Sequence, residues 1–132
     1  MKNILVIGAG RSAISLIKYL LDAAEQKNWH IIIADYCLDT AKKAVGNHKN
    51  CTVRKLNINI NEERIELIKL SDIVVSMLPA HMHYTVAQDC VSFKKNMVTA
   101  SYVSKDILSL DKDAKKSNII LLNEMGLDPG ID

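Results

Sequence analysis

Short runs rich in isoleucine and valine recur along this chain with helical stretches between them, at Ile4 to Ile7, Ile31 to Ala34, Thr52 to Leu56, Ile73 to Met77, Met97 to Thr99 and Ile119 to Leu122. Most of these runs are continuously apolar and do not alternate with polar residues, which is how strands covered by helices on both faces read. The third run is different: Arg54 and Lys55 lie inside it and mark an edge strand. Strands that alternate with helices are joined by right-handed crossovers and therefore lie parallel. The expectation is an α/β fold, a doubly wound parallel sheet of six strands in the order 3-2-1-4-5-6, within a single three-layer domain.

The helical segments carry their own signals. Ile14, Ile17, Leu20 or Leu21, and Ala24 share one stripe at helical spacing, with Lys18, Asp22 and Glu25 turned away from it. A short helix is expected after Asp39 and Thr40, which serve as candidate N-caps, and Gly46 stands where a left-handed residue would stop it. Glu62 to Leu70, Tyr84 to Phe93 and Lys105 to Lys116 supply three more helices, the last with Ser104 as its cap.

A chain of 132 residues with 48% hydrophobic residues has enough apolar material for one buried core, and no linker, repeat or low-complexity stretch divides it. One domain over residues 1–132 is the reading. With 17 Lys and Arg against 15 Asp and Glu, no strong field exists to gather nucleic acid or an anionic membrane, so neither partner is expected. Cys37, Cys51 and Cys90 are odd in number and outside any CxxC pattern, which argues against a disulfide framework and a zinc site and fits a reducing cytoplasm. The apolar run within Met1 to Gly10 is too short for a signal segment or a membrane span.

The chemistry begins at Ile7-Gly8-Ala9-Gly10-Arg11-Ser12-Ala13, a G-x-G-x-x-A sequence between the first strand and the first helix. Gly8 permits a tight turn, Gly10 lets the backbone approach a pyrophosphate, and Ala13 keeps the helix close to the sheet. The helix start adds unpaired N–H groups and the positive end of its dipole. The second strand ends at Asp35, at the distance downstream where this fingerprint places an acid to take the adenosine ribose hydroxyls. A carboxylate there opposes a 2′-phosphate by on the order of a few kcal/mol once the pair is partly shielded from water. NAD is therefore expected ahead of NADP; Lys42 and Lys43 follow shortly afterwards and read as two solvated lysines on a helix face, with compensation of the carboxylate at the 2′ position as the alternative.

The fourth strand runs into Ser76-Met77-Leu78-Pro79, and Pro79 ends the ladder, so the chain leaves the sheet beside the crevice where such a cofactor crosses. His81 and His83 follow, but i,i+2 spacing sends their rings to different sides and there is no nearby third ligand, so no metal is expected.

Two further segments, Asn96 to Ser104 and Leu122 to Asp132, follow strands and carry the sequences ASYVS and GLDPGID. With the glycine loop, the Ser76 to Pro79 exit and His83, they make the whole chain resemble the N-terminal Rossmann-type, NAD(P)-binding domain of saccharopine dehydrogenases of the glutamate-forming type, and the matching module of the bifunctional aminoadipic semialdehyde synthase. The resemblance implies an oxidoreductase of lysine metabolism that interconverts saccharopine with glutamate and 2-aminoadipate 6-semialdehyde by hydride transfer to and from a nicotinamide ring. It places Gly8, Gly10, Arg11, Ser12 and Ala13 on the pyrophosphate, Asp35 on the ribose, Asn57 and Ile58 by the adenine, and Ser76, Leu78 and Pro79 beneath the nicotinamide half. Ser101, Tyr102 and Asp128 would face the junction of cofactor and substrate as the catalytic group. Two features depart from the family: Ala13 replaces the third glycine, and Asp35 stands where some members carry a Cys-Arg pair suited to NADP. The family continues into a substrate domain that is missing after Asp132, so cofactor binding without turnover is expected of this chain alone, with a small-molecule substrate only when that domain is present and a homodimer left open as the assembly. Two alternative readings are a stand-alone NAD-sensing regulatory module, like those of potassium transport systems, and a carboxynorspermidine dehydrogenase-like imine reductase.

Overall fold

The computed structural model describes residues 2–10, 13–46, 48–78, 82–99 and 121–122. Five parallel strands form the body of the sheet: β1 (Lys2–Ile7), β2 (Trp29–Asp35), β3 (Cys51–Lys55), β4 (Ile73–Ser76) and β5 (Asn96–Thr99). The sixth is shorter, a two-residue segment β6 (Leu121–Leu122) in parallel register with Met97 and Val98. The order is β3-β2-β1-β4-β5-β6, so the chain winds outward in one direction from β1 to β3 and then crosses back to β4 on the other side. β3, the run broken by Arg54 and Lys55, is an edge strand.

Because side chains alternate across a strand, a continuous apolar run feeds two cores at once. On β1, Ile4 and Val6 enter a cluster with Ile17, Leu20, Leu21 and Ala24 of helix α1 (Ile14–Lys27) and with Ala41 and Val45 of helix α2 (Leu38–Val45). Leu5 and Ile7 enter the opposite cluster, with Leu67 and Ile68 of helix α3 (Asn61–Leu70) and Val86, Ala87 and Cys90 of helix α4 (His83–Ser92). Leu5, Val6, Ile31 and Ile33 are fully buried, and each such side chain contributes about 1.5–3 kcal/mol when it leaves water. Two cores on opposite faces of one sheet give helix, sheet and helix layers.

The helices differ from the sequence expectation at two points. Ile14 is 48% exposed although its stripe-mates Ile17, Leu20, Leu21 and Ala24 are buried. As the first residue of α1 it stands at the very end of the stripe. Helix α2 starts at Leu38, one and two residues ahead of the expected caps, with Cys37 as N-cap, and neither Asp39 nor Thr40 holds that position. Asp39 instead lies in the first turn, where its charge suits the positive helix end. At the other end Gly46 takes φ 64 and ψ −129 and donates its N–H to the Lys42 carbonyl, a backbone state open to glycine and costly for other residues. The helix expected over Lys105 to Lys116 lies outside the described residues.

Candidate cofactor-binding site

The ends of β1, β2, β3 and β4 are stitched together by N–H groups one residue beyond β1, β3 and β4. Gly8 donates its N–H to the Ala34 carbonyl at 2.8 Å, Leu56 to the Asp35 carbonyl at 2.9 Å, and Met77, just past β4, to the Ile7 carbonyl at 2.8 Å. The point where β1 and β4 diverge is the topological switch of the sheet, the place where ligands of such folds bind.

Gly8 turns there at φ +99, and a Cβ on it would stand 3.2 Å from the Met77 carbonyl carbon. Both the dihedral and the close backbone demand glycine. Gly10 is held otherwise: among the described residues a Cβ on it would meet nothing within 4 Å, so none of them needs it bare for packing. The loop closes with the Ala13 N–H on the Gly10 carbonyl at 2.9 Å, and Ala13 is fully buried where the helix meets the sheet. A small residue at 13 is therefore required by packing, and open space over Gly10 fits the close approach of a diphosphate.

Asp35 is placed at the mouth of the cleft, but its carboxylate is turned inward. Oδ2 accepts the Ala9 N–H at 2.7 Å and Oδ1 accepts the Cys37 N–H at 2.8 Å. The expectation that this acid simply awaits the ribose hydroxyls is thus amended, since both oxygens already hold the loop and the start of α2. A carboxylate has about four acceptor positions, so two remain for a ligand. The same two N–H donors draw on its charge, which weakens the ground for preferring NAD to NADP.

A cleft of about 420 Å³ opens between these strand ends, within the usual range for a small-molecule site. It collects Gly8, Asp35, Asn57, Ile58 and Leu78, five of the residues expected from the sequence. Ser76 is fully buried and does not line it. The cleft also gathers Tyr36, Leu56, Asn59 and Met82, which motif reasoning missed. Their common signal is position: Tyr36 and Leu56 each follow the last residue of a strand directly, where side chains face the crevice. Tyr36 is 69% exposed, and the Lys55 ammonium lies 5.7 Å from its ring centroid. Arg11, Ser12, Pro79, Ser101, Tyr102 and Asp128 lie outside the described residues, and so does His81. Among the described residues no three His, Cys, Asp or Glu side chains come together as a metal would need.

Parallel strands in the order 3-2-1-4-5, a glycine turn at the switch point and an acid at the end of β2 are the features of a Rossmann-type dinucleotide-binding domain. The chain belongs to the saccharopine dehydrogenase NADP-binding domain family, whose model matches residues 4–122. It is 39% identical over 111 residues to alpha-aminoadipic semialdehyde synthase of Arabidopsis thaliana, covering 84% of this chain and 10% of that protein. It is 33% identical over 131 residues to saccharopine dehydrogenase [NADP(+), L-glutamate-forming] of Pyricularia oryzae, covering 99% of this chain and 28% of that protein. The fold superposes on saccharopine dehydrogenase (L-Glu forming) of Saccharomyces cerevisiae with a TM-score of 0.87 at 27% identity, over 100% of this chain and 29% of that one. A shikimate dehydrogenase of Mycobacterium tuberculosis, at 15% identity and a TM-score of 0.68, shares the fold alone. The chain spans between a tenth and three tenths of the aminoadipic semialdehyde synthase and saccharopine dehydrogenase relatives. The family match favours neither the stand-alone sensor nor the carboxynorspermidine dehydrogenase reading.

Proposed function

We propose that this chain holds the nicotinamide cofactor for an enzyme of the saccharopine dehydrogenase type, acting on the CH–NH bond of saccharopine, with glutamate and 2-aminoadipate 6-semialdehyde on the other side of the reaction. The observation that carries this reading is the pair of glycines at the switch point: Gly8 is required by the fold, whereas Gly10 is left bare over open space. When bound, the cofactor supplies a hydride donor or acceptor, and this chain's part is to seat it. Gly8, Gly10 and Ala13, with Arg11 and Ser12, are assigned to the pyrophosphate, whose charge is met by backbone N–H groups at the start of α1. The free acceptor positions of Asp35 are assigned to the ribose, and Asn57 and Ile58 to the adenine side. Leu78 and Pro79 are assigned to the nicotinamide side, with Ser76 acting from behind, buried at the end of β4. Ser101, Tyr102 and Asp128 are assigned to the junction with the substrate.

NADP is the proposed cofactor, in keeping with the family and the name of the Pyricularia relative, and NAD is its competitor. Basic residues that clamp the carboxylates of a bis-amino acid are expected in the part of such enzymes beyond the span this chain shares with them. The sixth strand is proposed to be a full member of the sheet, completing six doubly wound strands in one three-layer domain, and the cytoplasm is the proposed compartment. Calorimetric titration with NADPH and NADH tests the reading. Dissociation constants on the order of micromolar to millimolar are expected, and no binding of either nucleotide would end the cofactor assignment.

A further inference from the structure

Arg64 is only 5% exposed, an unusual position for a guanidinium in the middle of a surface helix. A buried charge costs several kcal/mol unless its donors are all bonded. Here each nitrogen has a partner. Nε donates to Asp89 Oδ2 on α4, Nη1 donates to the Ile58 carbonyl at 2.7 Å, and Nη2 donates to Asn61 Oδ1 at 2.8 Å. One of the three partners, Ile58, belongs to the short segment that leads from β3 into α3 and lines the cofactor cleft, and a second, Asn61, is the first residue of α3.

Helix packing by itself does not explain this arrangement. Leu67, Ile68, Val86, Ala87 and Cys90 already join α3 and α4 to one apolar cluster, and apolar replacement of a buried ion pair is often neutral or stabilising. What a guanidinium adds is direction, a planar fork that fixes a carbonyl in one place. The segment has need of it. Ile58, Asn59 and Met82 line the cofactor cleft on one side and a second cleft, which Arg64 also lines, on the other. Within the segment Ile58 packs against the apolar cluster, but Asn59 and Ile60 beside it are exposed and have little packing to hold them. Its own bonds, Asn59 N–H to Asn57 Oδ1 at 3.0 Å and Ile60 N–H to the Asn57 carbonyl at 2.9 Å, wind it locally but do not fasten it to the body.

We propose that Arg64, anchored by Asp89, is a positioning residue that sets the Asn57 to Asn59 wall of the cofactor cleft. The proposal rests on the cofactor reading above and deepens it by naming what holds the adenine side in shape.

The test replaces the ion pair as a unit, in the double variant Arg64→Met/Asp89→Leu, and titrates it with NADPH beside the unaltered chain. The expected result is an unfolding midpoint in urea equal to or above that of the unaltered chain, faster amide exchange at Asn59 and Ile60, and NADPH affinity lower on the order of tenfold. Arg64→Lys, which keeps the charge and loses the fork, should fall between the two. Full NADPH affinity in the folded double variant overturns the proposal and leaves the cofactor reading standing. No NADPH binding by the unaltered chain overturns both. Should the double variant not fold, Asn61→Ala removes one anchor of the fork alone: weaker NADPH binding at an unchanged midpoint supports the proposal, and unchanged binding overturns it.

Discussion

The Asp35 carboxylate accepts the Ala9 N–H at 2.7 Å, so the last residue of β2 is fastened to the middle of the glycine turn that follows β1. Its other oxygen takes the Cys37 N–H at the start of α2. One side chain thus joins three segments that line or border the cleft, and shapes the loop before any ligand arrives.

Replacing this acid should show both duties. Asp35→Ala leaves two N–H groups without their acceptor and is expected to destabilise the fold by about 1–3 kcal/mol. It should weaken binding of both nucleotides while shifting the NADPH-to-NADH affinity ratio severalfold toward NADPH, because a like charge near the 2′ position is gone. Denaturant titration and paired calorimetry read the two effects, and an unchanged ratio removes the discriminating role.

The two loop glycines should separate stability from binding. In Gly8→Ala a Cβ meets the Met77 backbone at 3.2 Å and the residue is held at φ +99, so a loss of about 1–3 kcal/mol is expected along with loss of NADPH binding. Gly10→Ala has nothing within 4 Å to strike, so its midpoint should hold while its NADPH affinity falls at least about tenfold. A Gly10→Ala protein that binds NADPH normally would contradict the diphosphate assignment.

The three free thiols should react in a fixed order. Hydrogen bonding from the Thr40 hydroxyl, and then from its backbone N–H, lowers the pKa of the exposed Cys37 thiol. Burial raises that of Cys51 and pushes Cys90 up to about 12. Since the thiolate is the nucleophile, alkylation at neutral pH followed by peptide mass mapping should label Cys37 first, Cys51 later, and Cys90 only on unfolding. Early labelling of Cys90 in the folded protein would refute the buried placement.

Cys90 also predicts an alkaline limit. Its folded pKa lies above the ordinary thiol value of 9.0, so the neutral thiol is favoured in the fold. That stabilisation is complete below about pH 9 and is lost as pH rises toward 12, with a slope of about 1.4 kcal/mol per pH unit. Cys90→Ala should lower stability at neutral pH through the cavity it leaves, yet show a shallower decline above pH 9. Parallel slopes in urea titrations at pH 8 to 11 would count against the assignment.

The positions of the first five strands, their parallel order and the edge character of β3 were readable because the apolar runs and their spacing are local features. Ile31 to Ile33 is apolar throughout and ends up buried between two helix layers, and the charged Arg54 and Lys55 lie on the outermost strand. Gly8 and Ala13 were readable for the same reason, since a tight turn and a close contact of helix and sheet admit few residue types. The start of α2 was misplaced because Asp39 and Thr40 look like caps in isolation, whereas Asp35 Oδ1 holds the Cys37 N–H and the helix begins directly after it.

What the linear order of residues determined by itself was the kind of fold and the glycine turn at its switch point, because strand burial, crossover handedness and glycine turns obey short-range rules. Only the tertiary structure decided that Asp35 grips the loop, that Tyr36, Asn59 and Met82 complete the cleft, and that Arg64 is buried against Asp89. Each of these joins residues from separate elements, and such pairs are chosen by how strands register and helices pack over the whole sheet, which no local pattern encodes.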